Sequence, residues 1–80
     1  MRMDKYLKVS RIIKRRTLAG EICNAGRVKL NDKVAKPSTT VNIGDRIDIE
    51  FGNGVTSVRV VDVRDNVRKE DAASIYEMLK

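Results

Sequence analysis

The chain has 80 residues, 41% of them apolar and only three aromatic, and its 17 Lys/Arg outnumber 11 Asp/Glu for a net charge of +6. A domain of this size buries only about 60% of its unfolded surface, so it has one modest core and little stability in reserve. One Cys and no His exclude an internal disulfide, a thiolate cluster and the usual zinc ligand or proton shuttle, and no apolar run reaches the ~18 residues of a membrane span.

In chain order, Met3, Tyr6 and Leu7 follow the i, i+3, i+4 rule, which predicts a short helix over 2–9 with Arg2, Lys5 and Lys8 toward solvent. A bend near Ser10 lets Val9, Ile12 and Ile13 continue the apolar side. A second helix is expected over 14–25, with Leu18, Ile22 and Ala25 as its stripe, Ala19 and Cys23 beside it, and Gly26 as its stop. Its first turn is then Lys14-Arg15-Arg16, at the end whose dipole repels cations. Gly20 inside that helix costs about 1 kcal/mol relative to Ala.

After Gly26 the period changes to two. "RVKL", the turn pair Asn31-Asp32 and "KVA" read as a hairpin, "KPSTT" as a loop, and Gly44-Asp45 as a turn before a strand whose Ile47, Ile49 and Phe51 share a face. "GNG" makes another turn into a strand with Val58, Val60 and Val63 inward. The tail "RKEDAASIYEMLK" is expected to be a C-terminal helix, with Glu70 and Asp71 in its first turn and Ile75, Met78 and Leu79 as its stripe. The expected fold class is α+β: two helices packed on a small antiparallel sheet over 1–64, and a C-terminal helix over 65–80 packing on the same domain.

Charge is unevenly spread. Residues 1–36 carry a net +8 and residues 37–80 a net −2, whereas a surface serving only solubility intersperses its signs. Arg2, Lys5, Lys8, Arg11, Lys14, Arg15 and Arg16 are seven cations in sixteen residues, opposed only by Asp4. Two short helices joined at Ser10 can bring them onto one surface suited to a nucleic-acid backbone. Arginine adds bidentate phosphate contact and stacking. Thr17 either bonds locally or reaches a phosphate, and Arg27 and Lys29 are as easily solvated strand charges as RNA contacts. No catalytic apparatus is visible: "FGNG" lies between strands, and Asp48 and Glu50 alternate with apolar residues as a solvated face.

Residues 2–51 resemble the S-four (S4) domain, a small RNA-binding module. The likeness rests on an R-x-D-x-x-L first helix, a second helix that starts at Arg15-Arg16 and runs into G-R-V-x-L-N, and a Gly-Asp turn before a strand. Over nearly its whole length, through "DKYLKVSRIIKRRTLA" and "KEDAASIYEMLK", the chain is similar to stand-alone members acting in bacterial ribosome-associated quality control. The missing catalytic pattern, signal-peptide run and His lead to the expectation of a non-enzymatic, cytoplasmic monomer without cofactor or metal, and the resemblance implies a ribosome-associated quality-control factor. Its implied partners are large-subunit rRNA and P-site tRNA on obstructed large subunits, with RqcH as functional partner in C-terminal alanine tailing. Carried over by position, Arg2 and Arg16 are the foremost RNA contacts, supported by Lys5, Arg11 and Arg15. The heat-shock protein 15 type, which also engages large subunits bearing peptidyl-tRNA, and a generic S4 rRNA/tRNA binder are the alternative resemblances. A module cut from an RNA-modifying enzyme, or a generic binder of DNA or anionic membrane, fits less well. The first helix has no Trp or Phe to anchor it in lipid.

Overall fold

The computed structural model describes residues 1–79; Lys80, which the expected C-terminal helix includes, lies outside the described residues. Helix α1 spans Met3–Val9 and α2 spans Arg16–Asn24; strands β1 (Val28–Leu30), β2 (Lys33–Val34), β3 (Arg46–Phe51) and β4 (Gly54–Val60) follow. A 3-10 helix, Lys69–Ile75, then leads into β5, Tyr76–Leu79. The five strands form one antiparallel sheet in the order β2-β1-β3-β4-β5.

Alternation along the strands divides the sheet into two faces. Val28 opposite Ile49, and Ile47 opposite Val58, turn inward and are fully buried, while Lys29 opposite Asp48 turns outward. The inner face packs against Met3, Tyr6 and Leu7 of α1, Ile13 of the connecting bend, and Ala19 and Cys23 of α2. At about 25 cal/mol per Å² of apolar area, these side chains supply most of the folding drive.

Local chemistry explains the boundaries. Asn31 and Asp32 adopt φ of 50° and 70°, the pair of left-handed residues that a two-residue type I′ hairpin needs. At the end of α2, Gly26 takes φ 76°; its N–H bonds Cys23 O and the Arg27 N–H bonds Ile22 O, a Schellman motif that satisfies two terminal carbonyls. The start of α1 has no side-chain cap. Its first donors are taken by the loop expected from "KPSTT", Met3 N to Thr39 O at 2.8 Å and Asp4 N to Pro37 O at 3.1 Å.

Two expectations are corrected. The second helix begins at Arg16, so Lys14 and Arg15 precede it, and its buried stripe is Ala19–Cys23; Leu18 is 45% exposed. Rotating the stripe by one residue seats the small side chains of Ala19 and Cys23 in the core, where α2 packs chiefly against α1. The tail is helical only over Lys69–Ile75 and in 3-10 form, with Ala72 and Ile75 buried three residues apart, as a three-residue turn requires. Residues 76–79 instead pair with β4 through Val60–Tyr76 and Val58–Met78. Without that pairing β4 would be a seven-residue free edge. Tyr6 anchors the tail, its hydroxyl donating to Ile75 O at 2.7 Å.

Candidate nucleic-acid interface

The bend between the helices is set by two residues. Ser10 caps α1, its hydroxyl donating to Leu7 O at 3.1 Å, and Arg11 adopts φ 60°, a left-handed conformation that costs a non-glycine residue roughly 1–2 kcal/mol. Strain of that kind concentrates at functional sites. It reverses the chain so that the cations of α1 share one side with Lys14 and Arg16.

At the centre of that side lies Asp4, 8% exposed. Its carboxylate accepts from Arg2 Nε at 3.2 Å and Arg2 Nη2 at 3.4 Å, from Arg16 Nη2 at 3.4 Å and from the Lys5 backbone N–H at 2.8 Å, and Arg16 Nε is ion-paired with it at 3.4 Å. Burial alone would raise its pKa, but the hydrogen bonds from Arg2, Arg16 and Lys5 and the nearby Arg16 charge outweigh that and hold it below the ordinary carboxylate value. One anion therefore fixes two guanidinium groups whose side chains remain about half exposed, at 54% and 48%. The same contact offsets the unfavourable placement of Arg16 at a helix start.

Lys5, Lys8, Arg11, Lys14 and Arg16 line one cleft of about 390 Å³, closed on its far side by Asp65, Asn66 and Val67. Lys5 Nζ meets Asp65 Oδ1 at 3.2 Å across it. Arg2 joins this group through Asp4. Arg15 turns away to an adjoining apolar groove formed by Ile12, Leu18, Ile22 and Phe51, and Thr17 is exposed on α2, outside the cleft.

Arg27 and Lys29 are not part of this surface. They line a separate depression on the outer sheet face with Asp32, Arg46, Asp48 and Glu50. There Arg46 Nε bonds Asp48 Oδ1 at 3.1 Å and Ser57 Oγ also donates to Asp48. Burial acts to raise the Asp48 pKa, yet those two hydrogen bonds and the charges of Arg46 and Lys29 leave it lowered. Cys23 is on the buried side of α2, and burial with the nearby Asp4 charge pushes its thiol up to about 11, so it serves as a small hydrophobe.

Sequence reasoning treats Asp4 as a lone opposing charge and passes over residues 65–67. The R-x-D spacing is the signal for the first. The second has no local signal, because its partner Lys5 lies 60 residues away.

The S4 domain family model matches residues 1–47. A Streptococcus pneumoniae protein named RQC P-site tRNA stabilizing factor is 52% identical over 79 residues, covering 99% of this chain and 90% of its own. A protein of the same name from Halalkalibacterium halodurans is 51% identical over 80 residues, covering 100% and 91%. Among solved structures, the trimeric heat shock protein 15 of Vibrio cholerae superposes with a TM-score of 0.91 at 31% identity, covering 99% of this chain and 81% of that one. The cationic cleft, the Asp4-clamped arginines and these likenesses agree: the chain belongs to the S4 domain family and, within it, to the family of RQC P-site tRNA stabilizing factors.

Proposed function

We propose that this protein is a non-catalytic RNA-binding factor that holds peptidyl-tRNA in the P site of obstructed large ribosomal subunits while the stalled chain is extended with alanine by RqcH. The observation that carries this reading is the predominantly cationic face on which Asp4 sets Arg2 and Arg16 in fixed geometry. Fixed guanidiniums lose less conformational freedom on meeting a phosphate than free ones do, and their planar forks suit bidentate contact. Full-length likeness to proteins whose name refers to P-site tRNA supports the choice of partner.

In this reading Arg2, Lys5, Lys8, Arg11, Lys14 and Arg16 form the primary contact with large-subunit rRNA and P-site tRNA. Arg15 and Thr17 contribute at its margin, whereas Arg27 and Lys29 serve as solvated sheet charges. Residues 1–64 and the tail act as one cytoplasmic unit, in which the tail braces the sheet that carries the helices. The working form is the monomer, because one chain supplies the whole cleft. A non-enzymatic role accords with Asp4 and Asp48 both being engaged by arginine.

The test is recovery of the tagged protein from bacterial extract. Co-purification with free large subunits carrying tRNA, together with RqcH, is the expected result. Recovery only with small subunits would overturn the proposal.

A further inference from the structure

Phosphate binding accounts for one wall of the 390 Å³ cleft but not for the other. The cationic wall lies within residues 5–16, inside the stretch that matches the S4 model; the opposite wall, Asp65 to Val67, comes from beyond residue 47. That wall carries an anion. Asp65 is 80% exposed, and among the described residues Lys5 is its only ion-pair partner. A carboxylate facing a phosphodiester is repulsive, so a cleft built only for backbone would be better without it.

A carboxylate next to the carboxamide of Asn66 is instead complementary to adjacent N–H donors. Val9 and Val67 give the cleft apolar sides, and its volume falls in the range of small-ligand pockets, which begins at about 300 Å³. Proteins read RNA mostly at unstacked bases, through the Watson–Crick edge. Among the bases, guanine presents two neighbouring donors there, N1–H and N2–H, which match a carboxylate.

We infer that this cleft receives one unpaired nucleotide of the bound RNA, preferentially a guanine, with its phosphate on Lys8, Lys14 and Arg16 and its base edge on Asp65. The inference rests on the RNA-binding reading of the same face and adds a base preference to it.

The experiment measures binding of the full-length protein to three labelled RNA hairpins at physiological salt: fully paired, with a single bulged guanine, and with a single bulged uridine. The bulged-guanine hairpin is expected to bind about tenfold tighter than the paired one, within the discrimination a good two-point base contact gives. Asp65→Asn should remove most of the guanine-over-uridine preference while leaving affinity for the paired hairpin unchanged or higher. Asp65 is exposed, so its substitution leaves the fold intact. Equal binding of all three hairpins, with Arg16→Ala still weakening each, would overturn the nucleotide cleft and leave the RNA-binding face standing. Weak binding of all three that Arg16→Ala does not alter would overturn both. Free guanosine monophosphate competing as strongly as the bulged hairpin would also overturn the inference, since the ligand would then be a mononucleotide.

Discussion

The helical face and the outer sheet face both carry arginine, lysine and aspartate, yet they use them oppositely. On the sheet, Arg46 bonds Asp48, Arg59 Nη1 donates to Gly44 O at 2.9 Å, and Arg27 and Lys29 stand among Asp32, Asp48 and Glu50, so acids are interspersed with the cations. On the helices one buried Asp4 serves two arginines, while Lys8, Arg11 and Lys14 have no acidic partner among the described residues. Counting cations does not separate the two surfaces. What separates them is whether the field they make is cancelled within the chain.

The largest expected effect distinguishes the two aspartates. Asp4→Ala leaves Arg2 and Arg16 repelling each other and removes the acceptor of the Lys5 N–H, costing about 1–3 kcal/mol of stability after allowance for the half-exposed arginines. It should also weaken RNA binding, because the guanidiniums lose their fixed geometry. Asp48→Ala should lower stability in chemical denaturation while leaving RNA affinity within about twofold, since surface ion pairs are worth only about 0–1 kcal/mol. Equal losses of affinity in the two variants would break the distinction.

Charge reversal gives the next effect. Lys8→Glu should reduce RNA affinity severalfold and shallow its salt dependence, by a slope of about 0.9 per lost phosphate contact, whereas Lys29→Glu should leave that slope unchanged. Filter binding across a salt series reads both.

Acid stability provides a third comparison. The folded pKa values of Asp4 and Asp48 both lie below their unfolded values. Their contribution is therefore fully present above the unfolded carboxylate value near pH ~3.9 and is lost as pH falls through the folded values. Asp4→Asn should flatten the loss of stability below about pH 4, followed by denaturant melts at each pH, and Asp48→Asn should flatten it less because only one arginine bonds it.

The smallest effect is a gain. A Cβ at Gly20 would sit 3.9 Å from Pro37 Cγ, an ordinary contact, and Gly20 is in α2. Gly20→Ala should then stabilise the protein by about 0.4–1 kcal/mol, raising the denaturation midpoint with RNA affinity unchanged. A loss of affinity would mean that the helical face depends on flexibility in α2.

These contrasts also show what the sequence makes legible. Period-two alternation in "RVKL" and "RIDIEF" and the Asn-Asp turn identify the central strands, because each signal is local and its face is buried. Tyr76–Leu79 form a strand against the helical spacing of Ile75, Met78 and Leu79, because the β4 edge that captures them is distant in sequence. Periodicity misplaces Leu18 because a large aliphatic residue outweighs Ala19 in it, although Ala19 is the buried one. The cations were legible as a group. Their division was not, because it depends on which face of a strand Lys29 occupies and on Asp4 reaching both Arg2 and Arg16 across twelve residues.

The most direct test compares two double variants, Arg2→Ala/Arg16→Ala and Arg27→Ala/Lys29→Ala, each removing two positive charges, for affinity to large subunits carrying peptidyl-tRNA. A loss of at least about tenfold is expected for the first pair and of less than about twofold for the second. Equal losses for the two pairs would contradict it, since net charge rather than the Asp4-ordered face would then govern binding.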